Sequence, residues 1–398
     1  MEKKKNVAFI CPSLSKGGAE KVVSILSQQL ADYYNIFLFL FDGTDITYRY
    51  KGLIVDLEYN KLLRKAQKIM FFNHHFATLL SFVLLTLKLR KEKKYHKINC
   101  SISFLEISNI VNILSRIDDK IIVSVRSTRS LQNGTFYERM ENRGIKLYRR
   151  SDKVISVSDG VKDDLIKNFG LPEGLIQTIY NPYQTESIKT LCQEAIEPEY
   201  ERFFYDHKVI VVVGRLVPSK KQERLLYSIS EIKKTVPDVG GVIIGSGKRL
   251  DYLVQLAKEL KVDDRILFIS FVKNPFKYIY NSNIYLSTSE REGFPNNIVE
   301  AMICGVPVIV VDCCSGPREI ICGDNCYDEE YVKEKETNRG IIIPLEKHDK
   351  DNCILNNTLE RVLIDGTLQS KIKEGVDEYL RTLNMEKIVG EWVRAIES

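Results

Sequence analysis

The chain has 398 residues, 44% of them hydrophobic and 28% charged, with 58 Lys+Arg against 53 Asp+Glu. That length favours two globular domains over one small module, and that composition excludes disordered, collagen-like and multi-span membrane classes. A net charge of +5 is too even for a surface built to neutralise phosphates throughout, so no nucleic-acid partner is expected and any basic function is local.

In chain order, short apolar β-branched runs alternate with helical stretches, the pattern of parallel strands joined by crossover helices. The first series is Val7 to Ile10, Ile36 to Phe41, Cys100 to Phe104, Ile121 to Val125 and Val154 to Val157. The second is Val209 to Val213, Val242 to Ile244, Ile266 to Ser270, Ile284 to Ser287 and Val306 to Val311. Between them lies a charged stretch with no strand pattern. The fold class is therefore α/β, with two doubly wound halves at 1–185 and 208–380, a linker at 186–207 and a closing segment at 381–398.

The opening MEKKKNVAFI has an apolar run too short for a secretory leader, and nine cysteines, an odd number, are scattered along the chain. Both features predict a cytoplasmic protein with reduced thiols. Cys313, Cys314, Cys322 and Cys326 are spaced poorly for zinc, so no metal is expected, and Cys304 is expected to pack inward. The five histidines form no H-E-x-x-H, and no Asp-x-Asp stands at a plausible cleft turn.

The apolar stretch Ile69 to Leu87 lies inside a basic one: Lys61 to Lys97 holds ten Lys/Arg and one acid, Glu92. Asn73, His74, His75, Thr78, Ser81 and Thr86 make it too polar to span a bilayer. Two readings remain, a buried helix with solvated basic ends and an interfacial patch drawn to anionic headgroups.

Three turns carry candidate chemistry. Gly17 and Gly18 open a helix after the first strand, where a backbone can approach an anion closely, although a Gly-Gly pair in such a place is more often just a turn. Arg215 and Lys220 follow the strand Val209 to Val213, where open α/β sheets bind ligands; Arg215 can grip a phosphate bidentately and Lys220 can add a point charge, unless both are solvated loop cations. Finally, Pro295 suits the first turn of a helix that Gly305 and Pro307 end. Glu292 precedes this helix and Glu300 lies within it. Their carboxylates can accept sugar and ribose hydroxyls, and the Asn296 and Asn297 amides can hold sugar or phosphate oxygens. On the bland reading, Glu290 to Glu292 form a solvated turn.

The string EGFPNNIVEAMICGVPVIV, with its E-x7-E pair Glu292 and Glu300, closely resembles the signature of glycosyltransferase family 4. In order along the chain, GGAE (17–20), ISVSDGVKDDL (155–165), IYNP (179–182), GRLVPSK (214–220) and GSG (245–247) resemble that family too, and DCCSGPREII (312–321) looks like members that build capsule, O-antigen or other lipid-linked glycans. The resemblance implies a GT-B fold, two Rossmann-like domains facing a cleft, with the donor in the second and the acceptor approaching from the first. The last helix, about Met385 to Ile396, resembles the segment that crosses back to the first domain.

The implied activity is retaining transfer of a hexose or N-acetylhexosamine from a nucleotide diphosphate sugar, UDP above all, to a lipid-linked glycan. Arg215 and Lys220 would stabilise the departing diphosphate, Glu292 would orient the sugar without forming a covalent bond, and Glu300 would hold the ribose. Phe294, Pro295, Asn296 and Asn297 would line the sugar and phosphate, with Gly17 and Gly18 closing from the first domain. No cofactor or metal is implied. The implied place is the inner face of the cytoplasmic membrane, reached through the Lys61 to Lys97 segment. Where relatives carry His beside the reacting sugar, SVRSTRS places Arg126; where they carry Gly after the motif lysine and after strand Ile266 to Ile269, this chain has Lys221 and Ser270. A nucleotide-sugar epimerase and a non-catalytic nucleotide or sugar binder share the architecture. The charged residues of the cleft disfavour the binder.

Overall fold

The computed structural model describes residues 4–15, 17–69, 74–132, 134–313, 315–323 and 330–398. Cys314, Cys326 and part of the Ile69 to Leu87 stretch lie outside them. The chain divides into two compact units, one of residues 1–182 with 385–398 and one of residues 183–384.

The first unit is a seven-stranded sheet in the order β3-β2-β1-β4-β5-β6-β7, with every neighbouring pair parallel. Its strands are β1 (Asn6–Cys11), β2 (Asn35–Leu40), β3 (Leu53–Asp56), β4 (Cys100–Phe104), β5 (Lys120–Val125), β6 (Lys153–Ser156) and β7 (Ile176–Thr178). The second sheet runs β10-β9-β8-β11-β12-β14-β13. It comprises β8 (Lys208–Val213), β9 (Val239–Ile244), β10 (Ile266–Ile269), β11 (Ile284–Ser287), β12 (Val308–Val311), β13 (Lys335–Thr337) and β14 (Gly340–Ile343), with only the β13–β14 edge pair antiparallel. Each of the ten apolar runs forms a strand, because parallel strands covered by helices on both faces need side chains that are apolar on both faces.

Four strands escaped that pattern. β3 is a half-buried edge, β7 and β13 have three residues each, and β14 is a four-residue run that opens on Gly340. The stretch read as a linker is folded as two helices, Thr185–Cys192 and Pro198–Asp206, within the second unit. Their polar faces hid the helical period. The last helix, Met385–Glu397, belongs to the first unit. There Trp392 stacks on Phe104 at 5.9 Å, Lys120 Nζ donates to the Ile396 carbonyl (3.3 Å) and the Tyr34 hydroxyl donates to Glu397 (2.9 Å).

Helix His74–Tyr95 combines both readings of its apolar stretch. One stripe, through Ala77, Ser81, Leu85, Leu89 and Lys93, is buried, and Leu85 and Leu89 join Ala8, Ile10 and Phe39 in the core. On the opposite face Phe76, Leu79, Val83 and Leu87 are each between 49 and 59% exposed. This i, i+3, i+7, i+11 spacing makes one stripe, which continues into exposed Arg90, Lys91 and Lys94. Lys93 corrects the basic-surface reading. Its ammonium is fully buried, 2.9 Å from the Asp119 carboxylate, and donates to Asn112 Oδ1 (2.6 Å) and Ser101 (3.1 Å). Among the described residues no helix is long and apolar enough to cross a membrane.

Candidate functional site

In the second sheet the strand order reverses between β8 and β11, and the crevice at the carboxyl ends of those strands is where doubly wound sheets take ligands. β8 delivers Gly214 and Arg215 there. The neighbouring turn after β9 crosses so closely that only glycine fits: a Cβ on Gly245 would stand 1.9 Å from the Gly214 carbonyl oxygen, and one on Gly247 2.2 Å from that of Leu216. The two turns are then tied, Leu216 N–H donating to the Ser246 carbonyl (2.9 Å) and Arg249 N–H to that of Leu216 (3.2 Å). The GSG segment is thus a packing requirement of the Arg215 turn. The Arg215 side chain is exposed, with no hydrogen-bond or ion-pair partner among the described residues.

Lys220 ends a 3₁₀ turn, Pro218–Lys220, and its ammonium pairs with Glu292, joining two residues 72 apart in sequence. The segment leaving β11 is laced to this turn: Thr288 Oγ1 donates to the Lys220 carbonyl (2.7 Å) and Glu290 N–H to that of Ser219 (3.0 Å). Glu290 and Glu292 are therefore tied into the turn, while Arg291 stays exposed. Beyond it, Ser315 Oγ donates to the Glu292 carbonyl, and Gly316 N–H donates to that of Gly293 (2.9 Å). A Cβ on Gly316 would meet the Gly293 oxygen at 2.4 Å, so the approach again requires glycine.

The following helix is Asn296–Ile303, with Pro295 in the extended capping position just before it, one residue later than expected. Gly305, at φ 75°, ends it in the left-handed conformation. Asn297 Nδ2 donates to the Val213 carbonyl (2.9 Å), fixing the helix start to the end of β8, and the Tyr183 hydroxyl donates to Asn296 Oδ1 (3.0 Å). Phe294 and Glu300 are buried. Burial first, then the Glu292 and Glu300 charges, push the Tyr285 phenol on β11 well above its ordinary range. Cys304 packs inward, its sulfur 3.2 Å from that of Cys192.

Arg215, Lys220, Glu292, Phe294, Pro295, Asn296, Asn297 and Glu300 thus cluster at one crevice of the second unit. Gly17, Gly18 and Arg126 lie in the first unit, after β1 and β5. A Cβ on Gly17 would strike the Glu20 carboxylate at 1.8 Å, because Glu20 folds back over the start of its own helix. Arg126 is held by Asn181 of IYNP and lies 5.6 Å from the Phe104 ring centre. Asp164 of ISVSDGVKDDL accepts from the Arg129 and Ser130 amides (2.7 and 3.2 Å), so two further motif segments end on the Arg126 loop.

Sequence reasoning missed the pair that holds the crevice from behind. Buried Arg318 donates to both oxygens of buried Asp312 at 2.5 Å, and its guanidinium covers the Tyr331 ring at 4.4 Å. The signal was present as Asp and Arg six residues apart in DCCSGPREII, but solvated charges give the same signal. No group of three or more His, Cys, Asp and Glu able to hold a metal ion occurs among the described residues.

Comparison with known proteins agrees with this geometry. Residues 16–187 match the model of Glycosyltransferase Family 4, and residues 194–375 that of Glycosyl transferases group 1. The chain is 28% identical over 383 residues to the N-acetylgalactosamine-N,N'-diacetylbacillosaminyl-diphospho-undecaprenol 4-alpha-N-acetylgalactosaminyltransferase of Campylobacter jejuni, covering 94% of this chain and 95% of that one. An uncharacterized glycosyltransferase of Methanocaldococcus jannaschii is 28% identical over 63% of this chain and 64% of its own length. The Escherichia coli lipopolysaccharide 1,6-galactosyltransferase is 31% identical over 43% of this chain and 46% of its own. Among solved structures, Anabaena HepE in complex with UDP and glucose superposes with a TM-score of 0.76 at 17% identity over the full length of both chains. The two halves, each with its doubly wound sheet, and the motifs ordered along them place the chain in glycosyltransferase family 4, with the GT-B fold.

Proposed function

We propose that the protein is a retaining glycosyltransferase that moves a hexose or N-acetylhexosamine from a UDP-sugar to a hydroxyl of a lipid-linked glycan, without a metal. The observation that carries this reading is the exposed Arg215 guanidinium, without a partner among the described residues, on the same turn as the Lys220–Glu292 pair, at the switch point of the second sheet. A nucleoside diphosphate brings the negative charge this turn lacks. As the bond from the anomeric carbon to the β-phosphate oxygen breaks, charge grows on that phosphate, and Arg215 and Lys220 are positioned to stabilise it. The acceptor hydroxyl attacks from the face the phosphate leaves, forms the new glycosidic bond and passes its proton to the departing phosphate. Glu292 orients the sugar and Glu300 accepts from the ribose hydroxyls. The Campylobacter relative, named for an undecaprenol-linked acceptor, supports the acceptor class, and the UDP-bound Anabaena fold neighbour supports the donor class.

The test is the thermal stability of the purified protein with UDP, GDP or ADP in EDTA. At about 100 times its Kd a ligand stabilises the native state by roughly 2.7 kcal/mol. UDP is expected to raise the melting temperature of the wild type, and neither Arg215→Ala nor Glu300→Ala should respond. A flat response to all three nucleotides contradicts the reading.

The same reading places the protein on the cytoplasmic face of the inner membrane, where a lipid-linked acceptor resides. The exposed stripe Phe76, Leu79, Val83 and Leu87, ending in Arg90, Lys91 and Lys94, supports this. Each basic residue near an anionic surface contributes about 1 kcal/mol. The triple variant Arg90→Gln, Lys91→Gln, Lys94→Gln, which spares buried Lys93, is expected to pellet with phosphatidylserine vesicles at least about tenfold less than wild type. Equal pelleting would rule this surface out.

A further inference from the structure

Lys221, the residue after the motif lysine, sits at φ 49° and ψ 38°, in the left-handed region where a side chain is strained and glycine is at ease. This chain nevertheless places a lysine there, and its side chain is engaged. The ammonium lies 2.6 Å from the Glu346 carboxylate and 3.5 Å from that of Glu290, and the bond to Glu346 raises its proton affinity above the ordinary lysine range. Glu290 belongs to the segment that carries Glu292, and Glu346 to a separate 3₁₀ turn after β14, Glu346–His348. One ammonium therefore bridges three pieces of chain: the Lys220 turn, the Glu292 segment and the turn behind them.

We propose that Lys221 is a positioning residue for the donor, its ammonium fastening the Glu290–Glu292 segment and the Glu346 turn to the Lys220 turn so that Lys220 and Glu292 are held where the sugar diphosphate binds. Strain is retained at a backbone position when the surroundings over-determine it, and such positions cluster at ligand-binding sites. Here two carboxylates provide that determination. Lys221 itself touches no substrate. It acts through Glu290, whose N–H donates to the Ser219 carbonyl two residues before Lys221 (3.0 Å), so that segment and turn close on each other from both sides.

The inference rests on the donor-site reading above, and the experiment separates the two. UDP is titrated calorimetrically into wild type, Lys220→Ala, Lys221→Gly, Lys221→Arg and Glu346→Gln, and each melting temperature is recorded without ligand. Lys221→Gly relieves the strained backbone while losing the clasp, so it is expected to melt within about 2 °C of wild type and yet bind UDP about tenfold more weakly, the scale of coupling between neighbouring groups. Lys221→Arg should restore binding to within about threefold, because a guanidinium reaches the same carboxylates. Glu346→Gln, with Lys221 intact, should reproduce most of the loss. If Lys221→Gly melts far below wild type, Glu346→Gln decides, and unchanged UDP affinity in it overturns the proposal. Loss of binding in Lys220→Ala beside wild-type affinity in both Lys221→Gly and Glu346→Gln overturns the positioning role and leaves the donor site standing. A wild type that binds no UDP overturns both.

Discussion

Replacing Arg318 by methionine is expected to destabilise the second unit by about 3–5 kcal/mol, the usual cost of stranding one member of a buried ion pair. Arg318 and Asp312 are each 1% exposed, joined by two hydrogen bonds of 2.5 Å, and Asp312 also accepts from the Tyr331 amide (2.9 Å). Methionine fills much of the volume but leaves a carboxylate in a place water does not reach. For a unit of this size the loss corresponds to a fall in melting temperature of about 6–20 °C. Calorimetry checks it, and Arg318→Met with Asp312→Leu supplies the control. Removing both charges should recover a large part of the loss, since apolar replacements of similar volume are often neutral. If the single variant melts like wild type, the pair contributes no stability. Ser315 and Gly316, which grip the Glu292 to Phe294 segment, stand at the start of the helix Arg318 belongs to, so the single variant should also lose UDP affinity.

Arg215→Ala is expected to lower kcat on the order of 10²–10³-fold, the loss typical of removing one donor aimed at developing charge. KM for the UDP-sugar should rise less, because the diphosphate carries more charge in the transition state than in the bound donor. Lys220→Ala should cost a similar factor and also release Glu292 from its partner. The double variant should fall short of the product of the two, since both cations serve one phosphate group. Initial rates of sugar transfer at saturating and limiting donor measure all three. A fall in kcat smaller than about threefold in Arg215→Ala would remove that residue from the reaction.

How far these residues could be found without coordinates depends on the forces that place them. Buried parallel strands show in the sequence because both faces must be apolar, and Val209 to Val213 or Ile284 to Ser287 read directly as such. Edges do not: β3 is half-exposed, and Lys335–Thr337 is polar apart from its pairing with β14. Arg215, Lys220, Glu292 and Glu300 stand out as candidates because the turns and the helix that carry them follow strands, in an order that resembles the family's motifs. What stayed hidden is pairing at long range. The Lys220–Glu292, Lys221–Glu346 and Lys93–Asp119 contacts join residues 72, 125 and 26 apart, and charges this distant carry no period. Lys93 shows the cost most clearly: within a run of basic residues its charge looks solvated, whereas the helical period of Leu85 and Leu89 turns it inward.

The chain contains a single tryptophan, and Trp392 is 1% exposed against Phe104 in the closing helix of the first unit. Its indole N–H has no acceptor among the described residues, so its emission should lie toward the blue, as expected of a dry, apolar site. All intrinsic tryptophan fluorescence therefore reports on one half of the molecule. A red shift during unfolding marks the release of the closing helix from the first sheet, while the second unit, with eleven of the twenty tyrosines and no tryptophan, can melt without moving the tryptophan emission. Tryptophan emission thus follows the first unit alone, without any label, and a melting step that leaves it unmoved belongs to the second.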